Sequence, residues 1–350
     1  MENKNNTNNS DTVARLTALW ALSEGFLGGF LHMAKIPLTG LMLGSVAVIL
    51  MSLISKFSGK NGSILKATLI VLIVKGVISP YTPLTAYLAV SLQGILGELL
   101  FLNRKFPSVS SVLLGIIVSF FSSVQKVVFL TIIFGQNLWD SIDQFAVIVF
   151  KEFFGLINSG IAISKGLILV YSSVHVLFGL LGGIYAARLA KRADSLLHSY
   201  GRNLFDVKSF TEESIKKTKK SKHKRWWFKP SGIFFFAVTV TVFAFSYYYP
   251  ELSGVKQNSV IIMLVRGILL MLIWYKFASP LLMLGFKKIM EKKKNKYTGE
   301  IENVVGSLPL FKSVVKFCWR ETSASKGIKR IHRFFSLVLF NLLTVEPEKK

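Results

Sequence analysis

Eight long apolar stretches constrain this chain more than any other feature. Residues 16–34, 38–55, 64–78, 84–102, 110–134, 167–187, 231–249 and roughly 260–285 are dominated by Leu, Ile, Val, Phe, Gly and Ala. A hydrocarbon core about 30 Å thick takes about 20 such residues as helix, because lipid offers no partner for a free backbone N–H or C=O. The pattern predicts an all-α polytopic membrane protein. A mean hydropathy of +0.50, with 17% charged residues, excludes a disordered chain and is far from an ordinary soluble domain.

The net charge of +25 is read through where it falls. Lys and Arg crowd alternate ends of the apolar runs: Arg15; then Lys56, Lys60 and Lys66; then Arg104 and Lys105; then Arg188, Lys191 and Arg192. The opposite loops hold few, chiefly Lys35, Lys151, Lys165 and Lys256. The positive-inside bias then predicts eight crossings in a cell (inner, cytoplasmic) membrane with both termini cytoplasmic. The polar, Asn-rich start lacks the charged-then-apolar order of a cleaved signal, so the first run is expected to stay in place. Cys318 is the single cysteine, so an intrachain disulfide is impossible.

The organisation expected along the chain has five parts. A polar N-terminal tail covers 1–14 and a six-helix membrane domain covers 15–192. A basic cytoplasmic linker follows at 193–230, then a two-helix membrane segment at 231–286 and a basic amphipathic cytoplasmic tail at 287–350. Between the fifth and sixth runs, Trp139, Ile142, Ala146, Val149, Phe153 and Ile157 recur at helical spacing, which suits an interfacial helix on the outer surface. In the tail, Ile328, Ile331, Phe334, Phe335, Val338 and Leu342 form a similar stripe beside Lys326, Lys329, Arg330 and Arg333. It is expected on the membrane or against a partner.

Polar residues at membrane depth are the candidates for function, since charge there is costly. Helix direction places Glu24 mid-membrane and His32 near the outer end of the first run. Lys75, Tyr87, Lys126 and His175 fall in the outer half, Gln93 at the centre and Glu98 at the inner end. Glu24, His32, Lys75, Tyr87, Gln93, Lys126 and His175 are therefore candidate substrate-binding residues. Two lysines at one depth suit an anionic or carboxylate-bearing ligand in an outward-open pocket, with Glu24 balancing one of them. The plainer reading ties the bundle together through a Glu–Lys pair alone. Gly94 and Gly97, and Gly179, Gly182 and Gly183, are expected where helices approach closely.

The run Lys216, Lys217, Lys219, Lys220, Lys222, Lys224 and Arg225, followed by Trp226 and Trp227, holds no acid. Lys/Arg clusters beside a span bind anionic lipid, with tryptophans anchored among the headgroups. Nucleic acid is not an expected partner, because no nucleic-acid-binding motif accompanies the charge. The sequence has no phosphate-binding G-x-x-x-x-G-K-[ST] loop and no G-x-S-x-G, and its five histidines are scattered without metal-ligand spacing. Catalysis, a cofactor and a metal are not expected.

The six closely connected helices, the polar outer positions and Ala14-Arg15-Leu16-Thr17-Ala18 at the start of the first run resemble the substrate-binding (S) component of energy-coupling-factor vitamin transporters. The resemblance covers residues 14–192. It implies capture of a vitamin or similar micronutrient from outside, with Ala14 and Ala18 packed against a coupling subunit that works with separate ATPase subunits. The two later runs depart from that family. A non-transporting scaffold, recruiting partners or anionic lipid through the linker and tail, is the competing expectation.

Overall fold

In a computed structural model of the chain, residues 2–33, 39–78, 84–155, 162–200, 297–306 and 308–344 are described, with isolated positions between 267 and 292. The basic run with Trp226 and Trp227, and the apolar run 231–249, lie outside the described residues, as does most of 260–285. Among the described residues the chain is helical throughout, with no strand.

Helix α1 runs Glu2–Leu22, widens into a π turn at Ser23–Leu27, and continues as α2, Gly28–Met33. Then come α3 (Thr39–Ser58), α4 (Ser63–Ile78), α5 (Leu84–Phe101), α6 (Pro107–Phe134), α7 (Asn137–Phe154) and α8 (Ile163–Tyr200). The tail supplies α9 (Thr298–Gly306), α10 (Leu308–Glu321) and α11 (Gly327–Thr344). Three of these, Thr39–Ser58, Pro107–Phe134 and the Ile163–Asp194 part of α8, are long and apolar enough to cross a membrane; Thr85–Phe101 is apolar but shorter. At 1.5 Å per residue, the 16 residues of α4 reach only about 24 Å. Helix α7 carries Asp140, Asp143, Lys151 and Glu152 within 18 residues and is not among the span candidates.

Helix begins at Glu2, so the polar N-terminal stretch is helical and continuous with α1. Asn is a poor helix former, but adding residues to an existing helix costs far less than nucleating one.

Chain contacts divide the molecule into two compact units that do not follow the sequential blocks. One comprises 1–119, 176–217 and 283–350, the other 120–175 and 218–282. In the first unit α1 packs along α3 and α4, and α4 lies antiparallel to α5. The core is built from Trp20, Ala47, Met51, Leu53, Ile54, Val71, Val74, Tyr87 and Leu114, all essentially inaccessible. Glycine permits two close crossings here. A Cβ on Gly94 would fall 2.1 Å from Thr68 Oγ1, and one on Gly115 would fall 2.3 Å from the Gly179 carbonyl oxygen. Gly183 closes the second crossing, its missing Cβ site 2.7 Å from Val112 Cα. Such approach of backbones is how helices associate where burial from water supplies no drive.

Outward, Leu113, Leu177, Phe178 and Leu181 in the first unit are exposed, as are Phe120, Phe129, Ile132, Leu167, Leu169 and Val170 in the second. Apolar exposure at that density suits lipid better than water. Buried hydroxyls are satisfied within their own helices: Thr17 donates to Val13 O (2.8 Å), Ser52 to Val48 O (2.7 Å) and Thr68 to Ile64 O (2.6 Å).

The tail packs on the chain itself. Helix α9 lies against α1 and α4, and α11 lies against α1 and α10. Ile301, Val304, Phe311, Val314, Cys318 and Val338 are buried there, and Lys66 Nζ sits 5.6 Å from the centre of the Tyr297 ring. Part of the stripe expected to face a membrane or partner is thus spent on an intramolecular core: Val338 is buried, while Phe335 is left exposed.

Candidate functional site

The charged residues at membrane depth separate into those that finish helices and those that do not. Glu98 finishes one. Gly59 and Gly62, both at positive φ, turn the chain between α3 and α4 and aim the first amides of α4 at α5. Glu98 on α5 accepts from the amides of Gly62 (2.5 Å), Ile64 (3.1 Å) and Leu65 (3.3 Å). A carboxylate at a helix N-terminus satisfies orphan donors and meets the positive end of the helix dipole. Asp143 on α7 does the same in the second unit, accepting from Ser164 N (2.6 Å) and Ser164 Oγ (2.8 Å) at the start of α8. Lys56, at the end of α3, donates to Ala190 O (2.7 Å) and pairs with Asp194 (2.7 Å).

Glu24 and Lys75 finish nothing. Lys75 Nζ lies 2.6 Å from Glu24 Oε2, and both side chains are 3% exposed. Glu24 sits in the π turn, where Gly28 N–H reaches back five residues to Ser23 O. Ser23 Oγ donates to Trp20 O (2.8 Å), loosening the ladder at the same place. A π turn inserts an extra residue and re-aims the side chains on it, and such turns collect at functional sites.

Three further candidates share this unit. Contact of Glu98 with residues 62–65 and of Gly94 with Thr68 fixes the antiparallel register of α4 and α5, which sets Tyr87 level with Lys75. Tyr87 is fully buried, and Gln93 is 9% exposed with its Nε2 4.0 Å from the Cβ position of Gly44 on α3. Gln93 Oε1 is buried without a hydrogen-bond partner. So is Trp20 Nε1, one turn before Glu24, on a residue that nothing in the sequence pattern singled out. Buried polar atoms left unmatched are uncommon in folded proteins and ask for a reason.

The remaining candidates lie elsewhere. Lys126 and His175 belong to the second unit. Lys126 is exposed there; His175 is buried, its Nδ1 2.9 Å from Tyr171 O and its ring 4.3 Å from the Tyr171 ring. His32 lies on α2. Of the expected coupling contact, Ala14 is exposed, whereas Ala18 is 3% exposed and sits in the core of the first unit. Around Lys75 in the first unit, Glu24 balances the charge, so the positive surplus expected from two lysines does not arise within it. No group of three or more potential metal ligands occurs among the described residues.

No protein-family model, curated protein or solved structure matches the chain.

Proposed function

We propose that the chain is the substrate-binding membrane subunit of a small-molecule transporter powered by separate ATPase subunits. The solute is vitamin-like and carries a carboxylate. One observation carries the reading: a charge-balanced Glu24–Lys75 pair buried beside a π turn, in a unit that also buries the unmatched Trp20 Nε1 and Gln93 Oε1. A pure fastening would leave no donor and acceptor unpaired. A carboxylate arriving at Lys75 would replace Glu24 as its counter-charge and accept from Trp20 Nε1, while Gln93 Oε1 accepts from a donor elsewhere on the solute. In this reading the protein is a multi-pass protein of the cell (inner, cytoplasmic) membrane, with six helices in its first block, two more beyond the linker, and both termini cytoplasmic. Its partners are membrane lipids, a coupling subunit and ATPases.

The competing scaffold reading draws on the same pair, since an ion pair sealed from solvent can serve as a fastening alone. The two part on ligand retention. The full-length protein, purified in mild detergent, is extracted and its small molecules identified by mass spectrometry, beside a Lys75→Gln, Glu24→Gln double variant. A carboxylate-bearing solute in the parent preparation and not in the variant supports the transporter subunit. Equal or no solute in both, with both proteins monodisperse, favours the scaffold.

A further inference from the structure

The hairpin of α10 and α11 carries two apolar stripes, and only one of them is used. Phe311, Val314 and Cys318 on α10 meet Val338 and Asn341 on α11, and Asn341 Nδ2 donates to Cys318 Sγ at 3.6 Å. Val315 and Trp319 lie about 100° further round α10. They are 40% and 54% exposed, and Phe335 on α11 is 51% exposed. These rings pack on one another: Trp319 stands edge-on to Phe334 at 5.3 Å, and Phe334 edge-on to Phe335 at 5.5 Å. The Arg330 guanidinium stacks on Trp319 at 4.3 Å while donating to its carbonyl oxygen at 3.4 Å. Around the rings Lys316, Arg320, Lys326, Lys329 and Arg333 are exposed, and Glu321 is the only acid between 308 and 344.

We infer that this face of the α10–α11 hairpin seats on an anionic lipid surface. Indole and phenyl rings backed by snorkelling Lys and Arg are what the headgroup boundary accepts: the rings enter the apolar edge and the cations stay at the phosphates. Charge complementarity selects the occupant. A neutral bilayer would take the rings but give the flanking cations no counter-charge. An acidic protein would pair with the cations but would need its own apolar pocket for Trp319 and Phe335. The hairpin is joined through α9 and α11 to α1, which carries Glu24 into the π turn just beyond its end. The inference itself is independent of any solute.

The test uses the full-length protein in nanodiscs of phosphatidylcholine alone or with phosphatidylglycerol, read by hydrogen–deuterium exchange. Peptides covering 315–335 should exchange several-fold more slowly in the anionic discs, and the difference should shrink in high salt as charges are screened. Replacing Lys316, Arg320, Lys329 and Arg333 by Gln should abolish it, each cation being worth about fivefold in binding. Trp319→Ala with Phe335→Ala should weaken it in both salts. Peptides covering 301–314 report whether each variant keeps its fold; where they do not, Lys316→Gln with Arg320→Gln alone provides the comparison. Exchange indifferent to lipid charge in the parent overturns the inference. So does protection produced as well by soluble polyglutamate as by anionic lipid, which would assign the face to an acidic protein.

Discussion

Removing one member of the Glu24–Lys75 pair should cost far more than removing both. At 2.6 Å with both side chains 3% exposed, solvent screening is nearly absent. The fraction of a kcal/mol typical of surface pairs is therefore the wrong scale. Coulomb attraction at this distance is about 6 kcal/mol at an effective dielectric of about 20, and it is offset by several kcal/mol of lost hydration for each ion. The pair is thus close to neutral as a whole, while either charge left alone is not. Lys75→Met or Glu24→Gln should each destabilise by about 3–5 kcal/mol, and the double variant by about 1 kcal/mol or less. The resulting coupling energy is about 5–9 kcal/mol, above the range usual for residues in contact. Reversible unfolding by SDS titration in mixed micelles, followed by tryptophan fluorescence, measures all four corners of the cycle. Single variants within 1 kcal/mol of the parent would refute the reasoning, and so would a double variant as unstable as the sum of the singles. The Lys75→Gln, Glu24→Gln double variant separates stability from ligand retention, because it too is expected to fold and yet lose the solute.

Other consequences are simpler. Gly115→Leu or Gly179→Leu should break the α6–α8 crossing, since even a Cβ would lie 2.3–2.4 Å from a facing carbonyl oxygen; loss of monodisperse protein on gel filtration is the expected result. Glu98→Gln removes a charge-assisted cap from α4 and should cost about 1–2 kcal/mol in the same SDS titration, with Glu98→Ala costing more. Burial pushes the Cys318 thiol up to about 11, against a weaker opposing hydrogen bond from Asn341, so it stays protonated at neutral pH. Maleimide should leave it unmodified at pH 7 in the folded protein and label it in SDS; labelling of the folded protein would contradict its burial. That inertness permits topology mapping: cysteines introduced at 60 and 220 should be protected in intact cells, and those at 81 and 254 labelled.

The legible parts of the fold were those written locally. Apolar runs gave helices α3 to α6 close to their ends, and α8 near its start although it runs on to Tyr200, well past the end of the apolar run at 187. Four of the small residues at membrane-helix spacing, Gly94, Gly97, Gly179 and Gly183, lie at close approaches. Gly115 carried the same signal, with Ser111 and Ser119 four residues to either side, and is the partner of Gly179 and Gly183. What escaped is non-local. The depth of Glu98 could be read, but the amides it caps lie 33–36 residues earlier, and periodicity does not reveal which turn an acid will face. The tail stripe was visible, yet a stripe says only that something covers it; here the packing of α10 and α11 on each other and of α11 on α1 covers part of it, Val338 being buried and Phe335 exposed. The π turn rests on Ser23 and Gly25 loosening an otherwise apolar helix, a balance of small terms that spacing does not encode.

Taken together, the buried charges narrow the search for function to one place. Among the described residues, Glu24, Lys75 and Glu98 are the charged side chains less than 9% exposed. Glu98 is accounted for by three amides of α4, and a helix end would demand some acceptor whatever the protein did. Glu24 and Lys75 answer no such demand. Isosteric apolar residues would fill the same volume without the cost of dehydrating two ions, and would often be more stable. Retaining the pair makes sense when one of its members must at some stage bind something else. On the proposed reading the π turn supplies the means, because its ladder is already loosened at Glu24 and can rearrange without breaking a regular helix. Deleting one residue of Ser23–Leu27 to make regular helix would aim Glu24 about 100° away from Lys75 and leave both charges buried alone. The protein should then be destabilised at least as much as by a single variant, about 3–5 kcal/mol. If the pair is a fastening only, that instability is the whole effect and no bound solute is lost; if the pair opens to a solute, the solute is lost as well.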